Sequence, residues 1–328
     1  MGLLVDGVWQ DDSHDKKRFQ DGRFVRPSTL YRNWITPDGS PGPSGEGGFA
    51  AEPGRYHLYV SLACPWAHRT VIFRRLKQLE GTISMSIVSY GDMSEGWTFD
   101  QSTGSTGDSV NGKHKLAEVY LMADSRYTGR VSVPVLWDKK RATIVNNESS
   151  EIIRMLNSAF DAFIEAKTDY YPPAYRAQID QLNDTIYATV NNGVYRAGFA
   201  VAQDAYEEAA RGVFATLDEL ERRLSKQCYL AGPRQTEADW RLFPTLVRFD
   251  AVYFSHFKCN LRRIVDYENL SDYVRDLYQV PGVADTVNLD HIKRHYYGTQ
   301  RRVNPTGIVP IGPVLDFTAP HDRDRFVS

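Results

Sequence analysis

Of the three cysteines in this 328-residue chain, one stands where a sulfur can act as a nucleophile. Cys64 closes a β-prone run, Tyr56-His57-Leu58-Tyr59-Val60-Ser61-Leu62, and is followed at once by Pro65. Proline is tolerated at a first helical position because its missing N–H would have been unpaired in any case. Cys64 is therefore expected to be the N-cap of a helix. There the unpaired N–H groups and the positive end of the helix dipole favour the thiolate, and can bring a thiol from its usual pKa of about 8.5 into the range of about 3.5 to 7.5. A buried structural thiol is the common fate of an isolated cysteine, but a strand-Cys-Pro-helix turn exposes the residue instead of packing it. His68 and Arg69 add positive charge if they face the sulfur. No second cysteine stands at Cys-x-x-Cys spacing, so a mixed disulfide on Cys64 has to be resolved by an outside thiol.

Monothiol chemistry of this kind points to glutathione. A peptide thiol bound in an extended pose needs strand-edge pairing and partners for its charged ends. Val133-Pro134 suits the first need: a cis Pro134 would leave the N–H and C=O of Val133 to the ligand, while a plain edge-strand proline fits the same residues. Glu148-Ser149 open a helix, where an anion gains from unpaired N–H groups and a carboxylate can meet an amine; simple capping is the other reading. Trp97, in Gly96-Trp97-Thr98-Phe99, either folds over a ligand or anchors its segment to the core. Cys228 is expected to pack an interior, and Cys259, near Lys258, Arg262 and Arg263, to be a surface or half-buried bystander. An odd count of three excludes a disulfide framework.

The elements that must position these residues follow from the pattern. Residues 1–54 include the Gly- and Pro-rich stretch Thr36 to Gly48 and read as an irregular N-terminal arm. Residues 55–165 give a strand at Tyr56–Leu62, a helix from Pro65, a strand at Ile83–Val88, a polar insertion over 90–130, a hairpin of Val131–Trp137 with Ala142–Val145, and a helix from Glu148 to Leu156. The order β-α-β, insertion, β-β-α is that of a thioredoxin-like α/β domain. Residues 170–328 lose the β signal and form an all-α domain with a C-terminal extension, helical over 174–195, 203–226, 236–254 and 267–278. Val213, Leu217, Leu220 and Leu224 make one apolar stripe. Thr236-Glu237-Ala238-Asp239 reads as a capping box with a shorter acid, and Pro244 should bend the helix it opens.

A length of 328 residues suits two domains, and 42% hydrophobic with 24% charged residues is the composition of an ordinary globular protein. A net charge of -2 gives no global field for nucleic acid or an anionic membrane, and no run approaches the roughly 18 apolar residues of a membrane span. The N-terminal residues carry no address signal, so the cytoplasm is the expected location. His291 and His295 have one-face zinc spacing but no third ligand, and no metal is expected; nor is there a Walker loop or a dinucleotide fingerprint.

At Ser61-Leu62-Ala63-Cys64-Pro65-Trp66-Ala67-His68-Arg69 the chain resembles the glutathionyl-hydroquinone reductases, the Xi class of glutathione transferases. The likeness continues through Glu95–Phe99, Gly129–Trp137, Asn147-Glu148-Ser149, Asn191–Tyr195 and Asn304–Ile308, and so spans nearly the whole chain. It implies a thioredoxin-like domain followed by a helical one and a homodimer formed largely through helical-domain surfaces. It implies Cys64 as nucleophile, Trp97, Arg130, Val133, Glu148 and Ser149 as glutathione ligands, and Tyr195, Tyr253 and Tyr296 as the residues facing an aromatic substrate. Glutathione would be the co-substrate and a glutathionyl-hydroquinone the substrate. Without the resemblance each of these tyrosines, among 19, would read as packing. Two other readings share the Cys-Pro pair or the fold: an omega-like thiol transferase or dehydroascorbate reductase, and a non-catalytic protein that binds aromatic ligands.

Overall fold

The structure of the protein, a computed structural model, describes residues 2–10 and 18–326. Its first elements are two hairpins, β1 (Leu3–Val5) with β2 (Val8–Gln10), and β3 (Phe19–Gln20) with β4 (Arg23–Phe24). Both turn on an Asp-Gly pair with positive φ at both positions, 46° and 77° at Asp6 and Gly7, 48° and 75° at Asp21 and Gly22. This is the backbone that a two-residue hairpin turn requires. The stretch expected to be an irregular arm therefore carries four short strands, and its parts divide between two compact units. Met1 and residues 11–17 of that arm, with 327–328, lie outside the described residues.

The first unit takes Met1–Lys16 with Pro27–Thr168. Chain order within it is β5 (Tyr56–Val60), α1 (Pro65–Leu76), β6 (Ser84–Ile87), α2 (Leu116–Ala123), β7 (Gly129–Arg130), β8 (Val135–Asp138), β9 (Thr143–Asn146) and α3 (Ser149–Ser158). The main sheet runs β6-β5-β8-β9, with β5 parallel to β6 and antiparallel to β8. β5 is central and buried at every position, which is why its sequence is a continuous run and not an alternation. α1 and α3 pack together, and Ala67, Ile72 and Phe73 of α1 and Ile152, Ile153 and Leu156 of α3 are buried. The region 90–130, expected as a polar insertion, contains α2. Its Leu116, Ala117, Val119 and Tyr120 are buried, and most of the Gly, Ser and Asp residues of that region come before it, with Asp124, Ser125 and Gly129 after it. β7 pairs with β1, placing Arg130 opposite Leu3.

The second unit takes Lys17–Arg26 with Asp169–Ser328. It is built from α4 (Arg176–Ile186), α5 (Gly193–Phe199), α6 (Gln203–Leu224), α7 (Glu237–Arg248), α8 (Glu268–Gln279) and α9 (Leu289–Thr299). The stripe Val213, Leu217, Leu220 and Leu224 is buried. Two helices expected to be continuous widen into π-helical turns, at Tyr187–Asn191 before α5 and at Phe249–Tyr253 after α7. Pro244 lies inside α7, and the chain stays helical past it. No helix among the described residues is long and apolar enough to cross a membrane.

Candidate active site

Cys64 is the N-cap of α1, with extended φ and ψ of -78° and 122°, and Pro65 is the first helical residue. Its carbonyl accepts from the His68 N–H at 3.0 Å, opening the helix. The side chain, half-buried, makes no capping hydrogen bond to the first turn; Sγ lies 3.7 Å from the Val133 carbonyl oxygen, the contact of a thiol that donates weakly. Val133-Pro134 is cis, and Val133 precedes β8, so its backbone lies at the sulfur. His68 and Arg69 are both buried. The Arg69 guanidinium lies 4.8 Å from the Trp66 ring centroid, and its Nη1 donates to Ser149 Oγ at 3.4 Å.

Glu148 and Ser149 form the start of α3. The Glu148 carboxylate caps the helix, accepting from the Ser150 N–H at 3.2 Å and the Ser150 hydroxyl at 3.1 Å, and it also accepts from Thr29 Oγ1 at 3.3 Å. Ser149 is buried. Trp97 is buried too, and its carbonyl accepts from the Leu116 N–H at 2.9 Å, which ties its segment to α2. Arg130 is half-buried on β7. Cys64 and Val133 are thus in direct contact, and Arg69 joins α1 to Ser149; Arg69 as that link is a role the sequence reading lacked.

The three candidate tyrosines come together in the second unit. Tyr195 of α5, Tyr253 at the π-helical turn and Tyr296 of α9 are all buried. Tyr296 is the middle of a hydroxyl chain, bonded to Tyr195 through a short contact and to Tyr253 at 3.2 Å. Burial holds the Tyr296 phenol well above its ordinary pKa, so it is a neutral donor and acceptor across the physiological range. π-helical turns recur at functional sites, and one of them here carries Tyr253.

The other thiols are packed away. Cys228 is buried, and burial raises its pKa. Cys259, expected at or near the surface, is fully buried: its N–H donates to the Tyr253 carbonyl at 2.9 Å, its Sγ lies 3.9 Å from the Phe257 carbonyl oxygen, and burial pushes the thiol up to about 12. The basic neighbours suggested by the sequence do not open it to solvent. Iodoacetamide on the native protein at mild alkaline pH is expected to label Cys64 and spare Cys228 and Cys259, since only accessible thiolate reacts. Peptide mass spectrometry reads the result, and labelling of Cys259 as fast as Cys64 would contradict the burial. His291 and His295 both stand on α9, His295 buried with its ring 5.7 Å from that of Tyr296. Among the described residues no group of three His, Cys, Asp or Glu is placed to hold a metal ion.

Comparison with known proteins gives the family of the chain. Residues 63–159 match the glutathione S-transferase N-terminal domain family and residues 203–276 the C-terminal domain family. The glutathionyl-hydroquinone reductase YqjG of Escherichia coli is 57% identical over 99% of both chains. Its glutathione-bound structure superposes with a TM-score of 0.91, at 55% identity over 98% of this chain and 99% of that one. The glutathionyl-hydroquinone reductase PcpF of Sphingobium chlorophenolicum is 55% identical over 95% of this chain and 96% of its own. A Xi-class glutathione transferase of Natrialba magadii superposes with a TM-score of 0.91, at 48% identity over 99% and 97% of the two chains. The chain belongs to the Xi class of glutathione transferases, the family of the glutathionyl-hydroquinone reductases.

Proposed function

We propose that the protein reduces glutathionyl-hydroquinones to hydroquinones, with glutathione as co-substrate, through a mixed disulfide on Cys64. The observation that carries this reading is the Cys64 thiol at the start of α1, against the backbone of Val133. A thiolate is repelled by a carbonyl oxygen and attracted by the first-turn N–H groups and the helix dipole. Ionisation thus turns the sulfur from Val133 O toward the helix, leaving the Val133 backbone to pair with glutathione. Ser149 and the start of α3 suit the carboxylate of the γ-glutamyl end, and the Glu148 carboxylate suits its amine. Trp97 and Arg130 complete the glutathione ligands, with the glutathione-binding domain spanning residues 55–165.

The thiolate attacks the sulfur of the conjugate, forming Cys64–S–SG as the bond from sulfur to ring carbon breaks. If the ring has first taken its keto tautomer, the electron pair of that bond restores the aromatic ring and the negative charge falls on the ring oxygen, which takes a proton. Tyr195, Tyr253 and Tyr296 receive the aromatic part and supply hydroxyls to that oxygen. A second glutathione thiolate then attacks the mixed disulfide, releases oxidised glutathione and returns Cys64 as thiolate. The same reading has a cytoplasmic homodimer formed largely through helical-domain surfaces; the apolar Ile311 and Val314 beyond α9 are wholly exposed.

The test is an anaerobic incubation with glutathione and a purified glutathionyl-hydroquinone, followed by chromatography. Hydroquinone and oxidised glutathione are expected in a 1:1 ratio, because each conjugate molecule contributes one half of one disulfide. Turnover of small disulfides or dehydroascorbate with the conjugate untouched would instead make the protein an omega-like thiol transferase.

A further inference from the structure

The segment 18–26 lies on the second unit and carries two guanidiniums into an aromatic stack. Arg18 lies 5.3 Å from the Phe24 ring centroid and 5.8 Å from that of Phe199. The Arg26 guanidinium lies 5.5 Å from the Phe24 ring centroid and 4.8 Å from that of Tyr195. Its Nε donates to Asn192 Oδ1 at 2.9 Å. Asn192 is the N-cap of α5 and Tyr195 stands three residues on, so the two share one face of the helix. Arg26 spans that pair: the hydrogen bond fixes the guanidinium, and the guanidinium covers the ring.

Anchoring of the segment does not need that charge. Phe24 is buried with its ring centroid 5.3 Å from that of Phe199, the Val201 N–H donates to the Gly22 carbonyl at 3.1 Å, and Arg23 pairs with Glu208, which also pairs with Arg196. What Arg26 adds is a positive charge on the ring face of Tyr195, the most exposed member of the hydroxyl chain at 8%, against 2% for Tyr296 and 0% for Tyr253. A cation over an aromatic face is attracted by the ring and stabilises negative charge that develops on it.

We propose that Arg26 is a positioning residue for the reduction: it holds the Tyr195 ring in the hydroxyl chain and offsets the charge on Tyr195 when its proton moves to the ring oxygen of the departing hydroquinone. The proposal rests on the reading of Tyr195 as a substrate-facing hydroxyl. The proton leaves Tyr195 oxygen for the quinol oxygen, and the phenolate that remains accepts the hydrogen bond of Tyr296 under the Arg26 guanidinium. Arg248, fully buried and donating to the Pro244 carbonyl at 2.8 Å, brings a second positive charge to the Tyr296 side of the chain.

The experiment compares Arg26→Gln, Arg26→Lys, Tyr195→Phe and the double variant Arg26→Gln/Tyr195→Phe, with kcat and both KM values for glutathione and a glutathionyl-hydroquinone. Arg26→Gln is expected to lower kcat about 3- to 30-fold, the span of a partly desolvated cation–π contact, with the KM for glutathione unchanged. Arg26→Lys should recover most of the loss, since it keeps the charge and can reach Asn192. In the Tyr195→Phe background, Arg26→Gln should add no more than about twofold, because the residue acts through the hydroxyl that is gone. Asn192→Ala leaves the charge but frees the guanidinium, and should give a smaller kcat loss of the same kind; it keeps the test decisive if circular dichroism finds Arg26→Gln unfolded. Wild-type kcat in Arg26→Gln beside a slow Tyr195→Phe, or losses that multiply in the double variant, would overturn the role of Arg26 alone. A Tyr195→Phe enzyme at the wild-type rate would overturn the tyrosine reading and Arg26 with it.

Discussion

Cys64→Ser is expected to lose the reduction of glutathionyl-hydroquinone by at least about a thousandfold, the scale on which a covalent nucleophile is missed. The hydroxyl stays protonated at neutral pH, attacks sulfur poorly, and cannot form the mixed disulfide on which the second glutathione acts. The substitution is close to isosteric at a half-buried N-cap whose side chain makes no capping hydrogen bond, and serine is itself a favoured cap, so stability should be held to within about 0.5 kcal/mol. Chromatography of free hydroquinone and oxidised glutathione reads the rate. Mass spectrometry of protein quenched in turnover should find a glutathionyl adduct on Cys64 in wild type and none at residue 64 in the variant. A serine enzyme with the full reductase rate would place the attacking sulfur in the second glutathione and leave Cys64 as a structural cap.

The main sheet of the first unit was readable because each strand announces itself over a few residues. Tyr56–Val60 is a continuous apolar and aromatic run, as a strand buried on both faces must be, and the polar turn Asp138 to Ala142 separates β8 from β9. α2 was not readable as part of the fold, since Leu116–Ala123 follows a long polar stretch and the bulk composition of 90–130 hides it. The two N-terminal hairpins did have a local signal, Asp-Gly at 6–7 and again at 21–22, between short runs with apolar members. The Gly- and Pro-rich stretch further on drew the whole arm into one irregular reading. The π-helical turns had no such signal: a wider turn in an apolar helix depends on what packs against it, which spacing alone does not carry.

At the site, the placement of Cys64 follows from two adjacent residues, since a strand end and a proline at the first helical position leave the sulfur nowhere but at the cap. The cis peptide at Pro134 was one of two open readings, decided only by the tertiary fold. The tyrosine cluster illustrates the other limit. Tyr195 and Tyr296 are 101 residues apart and bond through their hydroxyls, and no periodicity links them; the family resemblance supplied what pattern could not. Arg26 lacks even that, being a lone arginine in a short segment whose value comes from the ring and the amide it meets. Cys259 shows the converse error: basic neighbours along the chain suggested exposure, and the fold turned the thiol inward.

The largest effect on stability is expected at Asp239, where a helix start legible in four residues becomes a buried network. The carboxylate is fully buried and bonds four donors: the Thr236 N–H at 2.7 Å and hydroxyl at 3.0 Å through one oxygen, the Leu230 N–H at 2.9 Å and the Tyr273 hydroxyl at 2.7 Å through the other. It thereby closes the capping box of α7 and joins that helix to α8 and to the loop before it. Burial raises its pKa, and the four donors work against that shift, because only the ionised carboxylate can accept all four bonds through its two oxygens. Asp239→Ala removes a cap contact worth about 1 kcal/mol and leaves buried donors on Leu230, Thr236 and Tyr273 without an acceptor, at about 1–3 kcal/mol each before the site relaxes. A loss of about 3–5 kcal/mol is expected, which for a unit of this size is a fall in Tm of about 6–20 °C. Tyr273→Phe removes one donor together with its need for a partner and should cost only about 1 kcal/mol. Thermal melts of both variants beside wild type decide the matter: equal small shifts would mean that water takes the place of the carboxylate and bonds the orphaned donors, and that α7 is held by its apolar face alone.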